Sequence, residues 1–446
     1  MKKTFKGMKA ASGLFATIMG LSAVLAGCGG GGQQAAPQQP AGGEQNAAPA
    51  PAKTEQTIRL VAANHPWTEG IKPLLPDFEK ETGIKVKVDS YFEDQLTQKT
   101  SVEFAANSKS IDVVMFRPLQ DGKQYEKNGY FASLNDFVSK EPAITDDIIP
   151  SSLGAVKEGD KLYGFPLVTE TQVLYYRKDL LEAAGLQPPK TLDELKEQAA
   201  KLTDPNAGVY GFVSRGKRSP SVTQFSSFLY SFGGDFMKDG KATLDTPEAL
   251  QAFEYYGGLL KDYGPPGTLN MSWPEAFGVF TQGKAAFLTD ASSLYTNATD
   301  PSKSSVADKV GFAPFPAGPA GSKPYNITSW AIGIGANSEK KDAAWEFVKW
   351  ATSKEVVGKL QATGISGALK SVWDSPEGTA SFPKDLTDAI KANSDSAVPY
   401  DRPLIVNVGK ARDAIGDSVN AAIQGKDVKA ALAKSNQEFQ AVLDTE

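Results

Sequence analysis

Strand and helix signals alternate along the chain from residue 57, and this alternation predicts an α/β fold with a largely parallel sheet. Apolar residues recur at every second position over 57–63 and again over 84–89, as in strands. Between these strands a helical stretch runs to Gly83, a residue type that commonly ends helices. A polar helical segment over 93–106 and a buried strand over 111–116 continue the pattern.

The middle and C-terminal thirds add further elements, and no internal repeat is visible. Thr191 and Glu194 have the spacing of a capping box, which places the start of a helix over 191–202. Apolar residues recur at helical spacing over 343–352 and 428–443. The C-terminal third is therefore predicted to be mainly helical.

Aromatic and polar side chains follow two of the predicted strands. His65 and Trp67 come after the first strand, and Phe116 and Arg117 come after the third. In open α/β sheets, ligands bind at the carboxyl ends of the strands. These two strand ends are therefore candidate parts of a binding site.

The N-terminus predicts a secretory signal that ends at the only cysteine of the chain. Four lysines and no acid precede an apolar run over 10–26, which is shorter than the ~20 apolar residues of a membrane span and is interrupted by polar residues and glycines. The run ends in Leu25-Ala26-Gly27-Cys28, which looks like a bacterial lipobox. We therefore expect a signal peptide at 1–27 and a diacylglyceryl group on Cys28.

Residues 28–54 predict a flexible linker, because Gly, Gln, Ala and Pro dominate and bulky apolar side chains are almost absent. A chain of this length spans roughly 25–30 Å as a random coil. Two acyl chains on Cys28 would anchor it stably. The folded part is thus expected outside the cytoplasm, tethered to the cell membrane by its lipid.

Composition excludes several classes of function. Removal of the signal peptide takes away four positive charges and moves the net charge from −5 to −9, which disfavours a nucleic-acid partner. With Cys28 lipidated no thiol remains, and His65 is the only histidine, so the usual zinc ligand sets are absent. No Gly-x-Ser-x-Gly motif is present. We expect no metal and no cofactor.

Residues 278–285 differ by one residue from a phosphate-binding loop. Ala285 stands where such a loop has a hydroxyl, and Phe280 is bulky for a loop that wraps phosphates. The predicted order is also reversed, because a helix ends at Gly283 and a strand over 285–289 follows. The motif therefore does not indicate nucleotide binding.

The chain from residue 57 to its end resembles the extracellular solute-binding proteins of ABC importers, in the carbohydrate-binding branch that includes maltose-binding proteins. The resemblance rests on short segments in a characteristic order behind the lipobox: 78–86, 111–114, 159–166, 174–185, 233–234, 282–287 and 343–348. It implies a periplasmic-binding-protein-like fold, in which two α/β lobes are joined by a hinge and enclose a ligand cleft.

The resemblance also implies how the chain divides. Lobe 1 would comprise 55–167 and about 312–370, and lobe 2 would comprise 168–311 and about 371–446. The hinge crossings would fall near 166–171 and 315–329. Closure of the lobes around a ligand would present a surface to a membrane permease, and the protein is expected to be a monomer.

The ligand-binding positions are carried over from the resemblance as well. Trp67, Phe116 and Arg117 follow strands at positions where relatives hold ligand. Glu170 matches a ligand-contacting acid at the first crossing, and Asp290 ends a strand where relatives place polar contacts. Further candidates lie in segments that line the cleft in relatives, or beside them: Glu93, Gln224, Trp273, Trp330 and Arg402.

One departure from the family bears on ligand size. This chain has Asp290-Ala291-Ser292-Ser293 where many relatives have a Gly and a Trp. The missing aromatic disfavours a platform for a long oligosaccharide and favours a small sugar or sugar alcohol.

The sequence thus predicts a binding protein without catalytic residues, which captures a sugar or sugar alcohol for a permease. Two alternatives stay open. One is an exported glycoside hydrolase that uses an acid pair, since Asp and Glu total 52. The other is a binding protein for a quaternary amine enclosed by Trp67, Phe116, Trp273 and Trp330.

Overall fold

The computed structural model describes residues 56–446, so the signal peptide, Cys28 and the linker lie outside the described residues. The described chain contains strands of two to thirteen residues, which are β1 (Gln56–Ala63), β2 (Ile84–Tyr91), β3 (Val113–Phe116), β4 (Lys157–Glu158), β5 (Lys161–Leu162), β6 (Phe165–Arg177), β7 (Tyr210–Val213), β8 (Met237–Lys238), β9 (Lys241–Ala242), β10 (Ala285–Ala291), β11 (Val310–Ala313) and β12 (Asn326–Ile334).

Helices connect and cover these strands. They are α1 (Pro66–Ile71), α2 (Leu75–Thr82), α3 (Glu93–Ala105), α4 (Lys123–Lys127), α5 (Asn135–Val138), α6 (Pro150–Gly154), α7 (Lys178–Ala183), α8 (Leu192–Leu202), α9 (Arg218–Ser231), α10 (Pro247–Tyr263), α11 (Trp273–Thr281), α12 (Thr296–Thr299), α13 (Lys341–Ala351), α14 (Lys354–Gln361), α15 (Lys370–Trp373), α16 (Pro376–Thr379), α17 (Lys384–Ser394), α18 (Val408–Ile423) and α19 (Val428–Leu443). Over residues 56–446, no helix combines the length and apolar character that a membrane crossing requires.

One eight-stranded sheet runs through the folded region in the order β2-β1-β3-β12-β6-β10-β7, with β11 also paired to β6. The pairs β1–β2, β1–β3 and β7–β10 are parallel, whereas β12 and β6 pair antiparallel with all their neighbours in this sheet. The expectation of a largely parallel sheet is therefore wrong. The returning strand β12 lies between β3 and β6, and such a long-range pairing leaves no local signal in the sequence.

Three hydrophobic cores define the two lobes. The first core is built from side chains within 58–168 and 330–372, and we call this region lobe 1. The second and third cores are built from side chains within 173–315 and 382–439, which form lobe 2. The chain therefore passes between the lobes in three places. The first passage is along β6, the second is between residues 315 and 330, which include the start of β12, and the third is between residues 372 and 382.

The strand β6 carries the first passage. Its residues Phe165–Thr171 pair with β12, and its residues Gln172–Arg177 pair with β10 and β11. The strand β12 has register shifts on both sides of Trp330. Such bulges bend a strand and re-aim its side chains, and here they place Trp330 at the junction of the lobes.

Two local predictions can be compared with the structure residue by residue. Gly83 ends α2 with a φ of 77°, in the left-handed region that glycine adopts at low cost, so this prediction is confirmed. Thr191 Oγ1 accepts a hydrogen bond from Glu194 N at 3.1 Å, as a capping box requires. The carboxylate of Glu194, however, accepts from Lys190 N at 2.6 Å, one residue earlier than a capping box places it.

Candidate functional site

The junction of the lobes gathers charged and polar side chains in two groups, whose ionised members all come from lobe 2. We call the first the Asp290 cluster, and it consists of Arg215, Gln224, Asp290 and Tyr325. Asp290 is the penultimate residue of β10 and is fully buried, and Arg215 donates to both of its carboxylate oxygens, with Nε to Oδ2 at 3.0 Å. Gln224 Nε2 donates to Asp290 Oδ1 and to Tyr325 Oη, each at 3.1 Å. One carboxylate here balances one guanidinium.

We call the second group the Arg402 cluster, and it consists of Gln120, Thr223, Asp401, Arg402 and Arg412. Arg402 donates to both oxygens of the fully buried Asp401, with Nε to Oδ1 at 2.6 Å. Arg402 and Arg412 each also donate to Thr223 Oγ1, at 3.1 and 3.2 Å. Burial and the neighbouring charge of Arg402 lower the pKa of Arg412 well below its ordinary value.

Lobe 1 contributes the cationic side chain of Arg117 and the rings of Trp330 and His65 to the junction. Arg117 donates to Asp121 Oδ2 at 3.2 Å and to Glu93 Oε2 at 3.4 Å, and its guanidinium lies 5.9 Å from the ring centre of Trp330. The ring of Trp330 also lies 5.6 Å from the ring of His65. Burial lowers the pKa of His65 to about 4, so this imidazole is neutral at pH 7.

Glu170 lies on β6 between the two lobes and is half-buried. Its Oε2 accepts a hydrogen bond from Ser293 Oγ at 2.6 Å. Burial raises the pKa of Glu170 to about 7, and the charges of Asp290 and Asp401 act in the same direction against that of Arg215. At neutral pH this carboxyl is therefore close to half protonated.

The structure brings seven of the sequence-predicted positions together at the junction of the lobes. They are Glu93, Arg117, Glu170, Gln224, Asp290, Trp330 and Arg402. Two others, Trp67 and Phe116, are each 1% exposed and belong to the first core, where Phe116 packs at 4.5 Å from Phe131. Trp273 begins α11 and packs beside the third core, 6.4 Å from Phe277.

These positions do not form an aromatic cage. Trp67 and Phe116 are core side chains of lobe 1, whereas Trp273 packs with lobe 2. Only Trp330 of the four proposed walls contacts the charged junction. In the described part of the chain, no three His, Cys, Asp or Glu side chains are grouped so that they could hold a metal ion.

Sequence reasoning missed several members of the two clusters: Gln120, Arg215, Tyr325, Asp401 and Arg412. Asp401 could have been found, because it is adjacent to the predicted Arg402. The others have no local signal, since Arg215 pairs with Asp290 across 75 positions and Arg412 contacts Gln120 across 292.

Two α/β lobes with polar, charge-rich groups at their junction define a solute-binding protein of the two-lobe type. The model of the bacterial extracellular solute-binding protein family matches residues 64–358, and the chain belongs to this family. The expected resemblance, including the α/β two-lobe class, is thereby confirmed. The name of the family places its members outside the cytoplasm, and its characterised relatives are binding proteins rather than enzymes.

The chain is also similar to individual proteins whose names state what they bind. The chain is 30% identical to a mannitol-binding protein of Pseudomonas aeruginosa over 322 residues, which cover 71% of this chain and 73% of that protein. It is 28% identical to an erythritol/L-threitol-binding protein of Mycolicibacterium smegmatis, over 83% and 82% of the two chains. A crystal structure of an ABC transporter solute-binding protein from Agrobacterium radiobacter with ribitol matches with a TM-score of 0.79 and 31% identity, over 87% and 98% of the two chains.

Proposed function

We propose that this chain is the solute-binding component of an ABC importer and that it captures a small sugar alcohol, or a sugar of similar size, between its lobes. The observation that carries the proposal is the grouping of Glu170, the Asp290 cluster and the Arg402 cluster at the junction of the lobes. The polyol ligands named for the relatives support it.

The chemistry of the junction suits a polyol. Each hydroxyl of a polyol can donate and accept, so it pairs with carboxylates, amides and guanidinium groups. Gln224 Oε1 and Arg412 Nε are buried polar atoms without a hydrogen-bond partner among the described residues. Closure follows when the solute interacts with both lobes, because it then favours the closed conformation.

A panel of solutes tests this proposal. Erythritol, ribitol, D-mannitol, a set of monosaccharides and maltose are added to residues 55–446, and thermal unfolding is recorded with each. Free ligand at 100 times its Kd stabilises the folded state by about 2.7 kcal/mol, so a cognate polyol raises Tm measurably. Betaine and choline are included to test the quaternary-amine alternative, which predicts that they raise Tm. The solute is also recovered after incubation with the protein, and its recovery chemically unchanged argues against the hydrolase alternative.

A pair of matched variants locates the binding site in the same assay. Arg402→Lys removes the two-pronged donation to Asp401 and is expected to abolish most of the ligand-induced rise in Tm. Arg218→Lys changes an exposed arginine that pairs with Asp417 at 2.5 Å on the outside of the same lobe, and should leave the rise unchanged. A panel in which no carbohydrate or polyol shifts Tm would contradict the proposed function.

We also propose that Cys28 carries the lipid that holds the protein at the membrane, next to its permease. In cells that express the full chain, a labelled fatty acid should be incorporated into the wild type and not into Cys28→Ala. Cell fractionation should find the wild type with the membrane. Equal labelling of both proteins would rule out this anchor.

A further inference from the structure

Gln120 of lobe 1 makes a polar contact across the junction to two arginines of lobe 2. It lies in the turn Pro118–Gly122, which follows β3 in the sheet of lobe 1. Its Oε1 accepts from Arg402 Nη1 at 2.8 Å and from Arg412 Nη1 at 2.7 Å. Arg412 lies on α18, whose neighbouring residues Ala411 and Ile415 belong to the second core. The contact therefore joins the two lobes directly.

The charge balance on the lobe 2 side explains why this contact matters. Arg402 and Arg412 are each 8% exposed, and Asp401 is the carboxylate that hydrogen-bonds to Arg402. The partners of Arg412 are neutral oxygens, those of Gln120, Thr223 and Ser219. Two buried guanidinium groups thus share one carboxylate, and a buried cation without a compensating partner is costly.

We propose that Gln120 is a positioning residue that latches the lobes, by accepting hydrogen bonds from both guanidinium groups only when the lobes are closed. When the lobes open, Gln120 moves away with lobe 1 and water must replace its oxygen at both arginines. A neutral amide holds the two cations more weakly than a carboxylate would. The latch therefore favours closure without making it irreversible, so that solute can still leave.

This inference rests on the proposed function, since it assigns Gln120 a role in holding the solute. Loss of the latch should act mainly on the dissociation rate, because bound solute leaves only when the lobes open and the latch opposes this opening. Hydrogen bonds to charged groups are stronger than those between neutral groups, so Gln120→Ala should raise koff at least tenfold and leave kon nearly unchanged. Gln120→Glu should lower kon several-fold, because it closes the empty protein and leaves less of the open form that admits solute.

The experiment measures closure with and without solute. Val102→Cys on lobe 1 and Lys426→Cys on lobe 2 are exposed positions for a fluorophore pair in residues 55–446, which contain no other cysteine. Without solute, the mean energy-transfer efficiency should increase in the order Gln120→Ala, wild type, Gln120→Glu. Stopped-flow mixing with whichever of erythritol, ribitol or D-mannitol raises Tm most then gives kon and koff for each protein.

Gln124→Ala is the matched control, because it removes an exposed glutamine from the next helix, α4, and should behave as wild type in both measurements. The same transfer efficiency in all three Gln120 proteins would overturn the latch, whether or not a polyol binds. An unchanged koff in Gln120→Ala would overturn its role in holding solute. If the three efficiencies differ as expected but no polyol binds, the latch stands and the proposed function fails.

Discussion

The Asp290 cluster and the Arg402 cluster use the same chemistry with opposite charge balance. In the Asp290 cluster one carboxylate accepts two hydrogen bonds from one guanidinium group. Arg215, Gln224 and Asp290 all belong to the part of the chain that forms lobe 2, and Tyr325 completes the cluster. In the Arg402 cluster one carboxylate serves two guanidinium groups, and an amide from lobe 1 completes the set.

The difference means that the Asp290 cluster stabilises lobe 2 itself, whereas the Arg402 cluster depends on whether the lobes are closed. The Asp290–Arg215 pair is complete within lobe 2, so opening of the lobes need not disturb it. The Arg402 cluster is complete only when Gln120 is in place. A buried network that is only partly satisfied is costly, and this cost is what couples the Arg402 cluster to closure.

The largest expected effect is that of Asp401→Asn, compared with Asp290→Asn. Removal of one partner from a buried ion pair costs about 3–5 kcal/mol. Asp401→Asn should lie at the upper end of this range, because it leaves two guanidinium groups without a carboxylate, and Asp290→Asn should lie at the lower end. Urea unfolding at pH 7 measures both free energies. An equal loss in the two variants would remove the distinction between the clusters.

A rescue experiment sharpens the same comparison. Gln120→Glu places a carboxylate next to both guanidinium groups and should restore more than half of the stability that Asp401→Asn loses. The same substitution should restore nothing in Asp290→Asn, because Gln120 does not contact that cluster. Rescue of both variants would mean that Gln120→Glu acts through the overall charge of the cleft rather than through the Arg402 cluster.

A smaller effect is expected from Glu170, whose pKa is raised mainly by burial, with the carboxylates of both clusters acting in the same direction. Its folded-state pKa of about 7 lies above the ordinary value of 4.5, so the folded protein binds the proton more tightly than the unfolded chain does. Stability should therefore be highest below pH 4.5 as far as this group is concerned, fall as pH rises towards 7, and level off above it. Because the side chain is half-buried, we expect a contribution of only about 1–2 kcal/mol.

Glu170→Gln removes this titration, and the free energy of unfolding of the variant should depend less on pH between 5 and 8 than that of the wild type. Urea unfolding at several pH values measures the difference. Glu69→Gln is a suitable control, since Glu69 forms an exposed ion pair with Lys72 at 2.7 Å. Parallel pH profiles of wild type and Glu170→Gln would contradict the raised pKa.

Local features of the fold could be predicted from the sequence. Gly83 ends α2 as predicted, and the helix predicted from Thr191 starts there, because helix termini depend on residues within a few positions. The long strand β6, by contrast, depends on pairing with strands that are distant in the sequence. Its thirteen residues are held by β12 in one half and by β10 and β11 in the other, and neither partner is adjacent in sequence.

The candidate site divides in the same way. Glu170, Asp290 and Arg402 were predicted as individual positions, and the structure brings them to one junction. Trp67 and Phe116 were predicted for the same site, yet both side chains are buried in the first core. Aromatic residues after a strand can pack inward or face a cleft, and a single sequence does not distinguish the two.

The sequence by itself determined the class of this protein, namely an α/β fold and a member of a solute-binding family, because hydrophobic periodicity, helix ends and short family segments are local properties. Only the tertiary structure decided which charges meet. Arg215 and Asp290 are 75 positions apart, and Gln120 and Arg412 are 292 apart. Charge balance in a buried site depends on distances of a few ångströms in space, and these are set by how the three cores pack rather than by spacing along the chain.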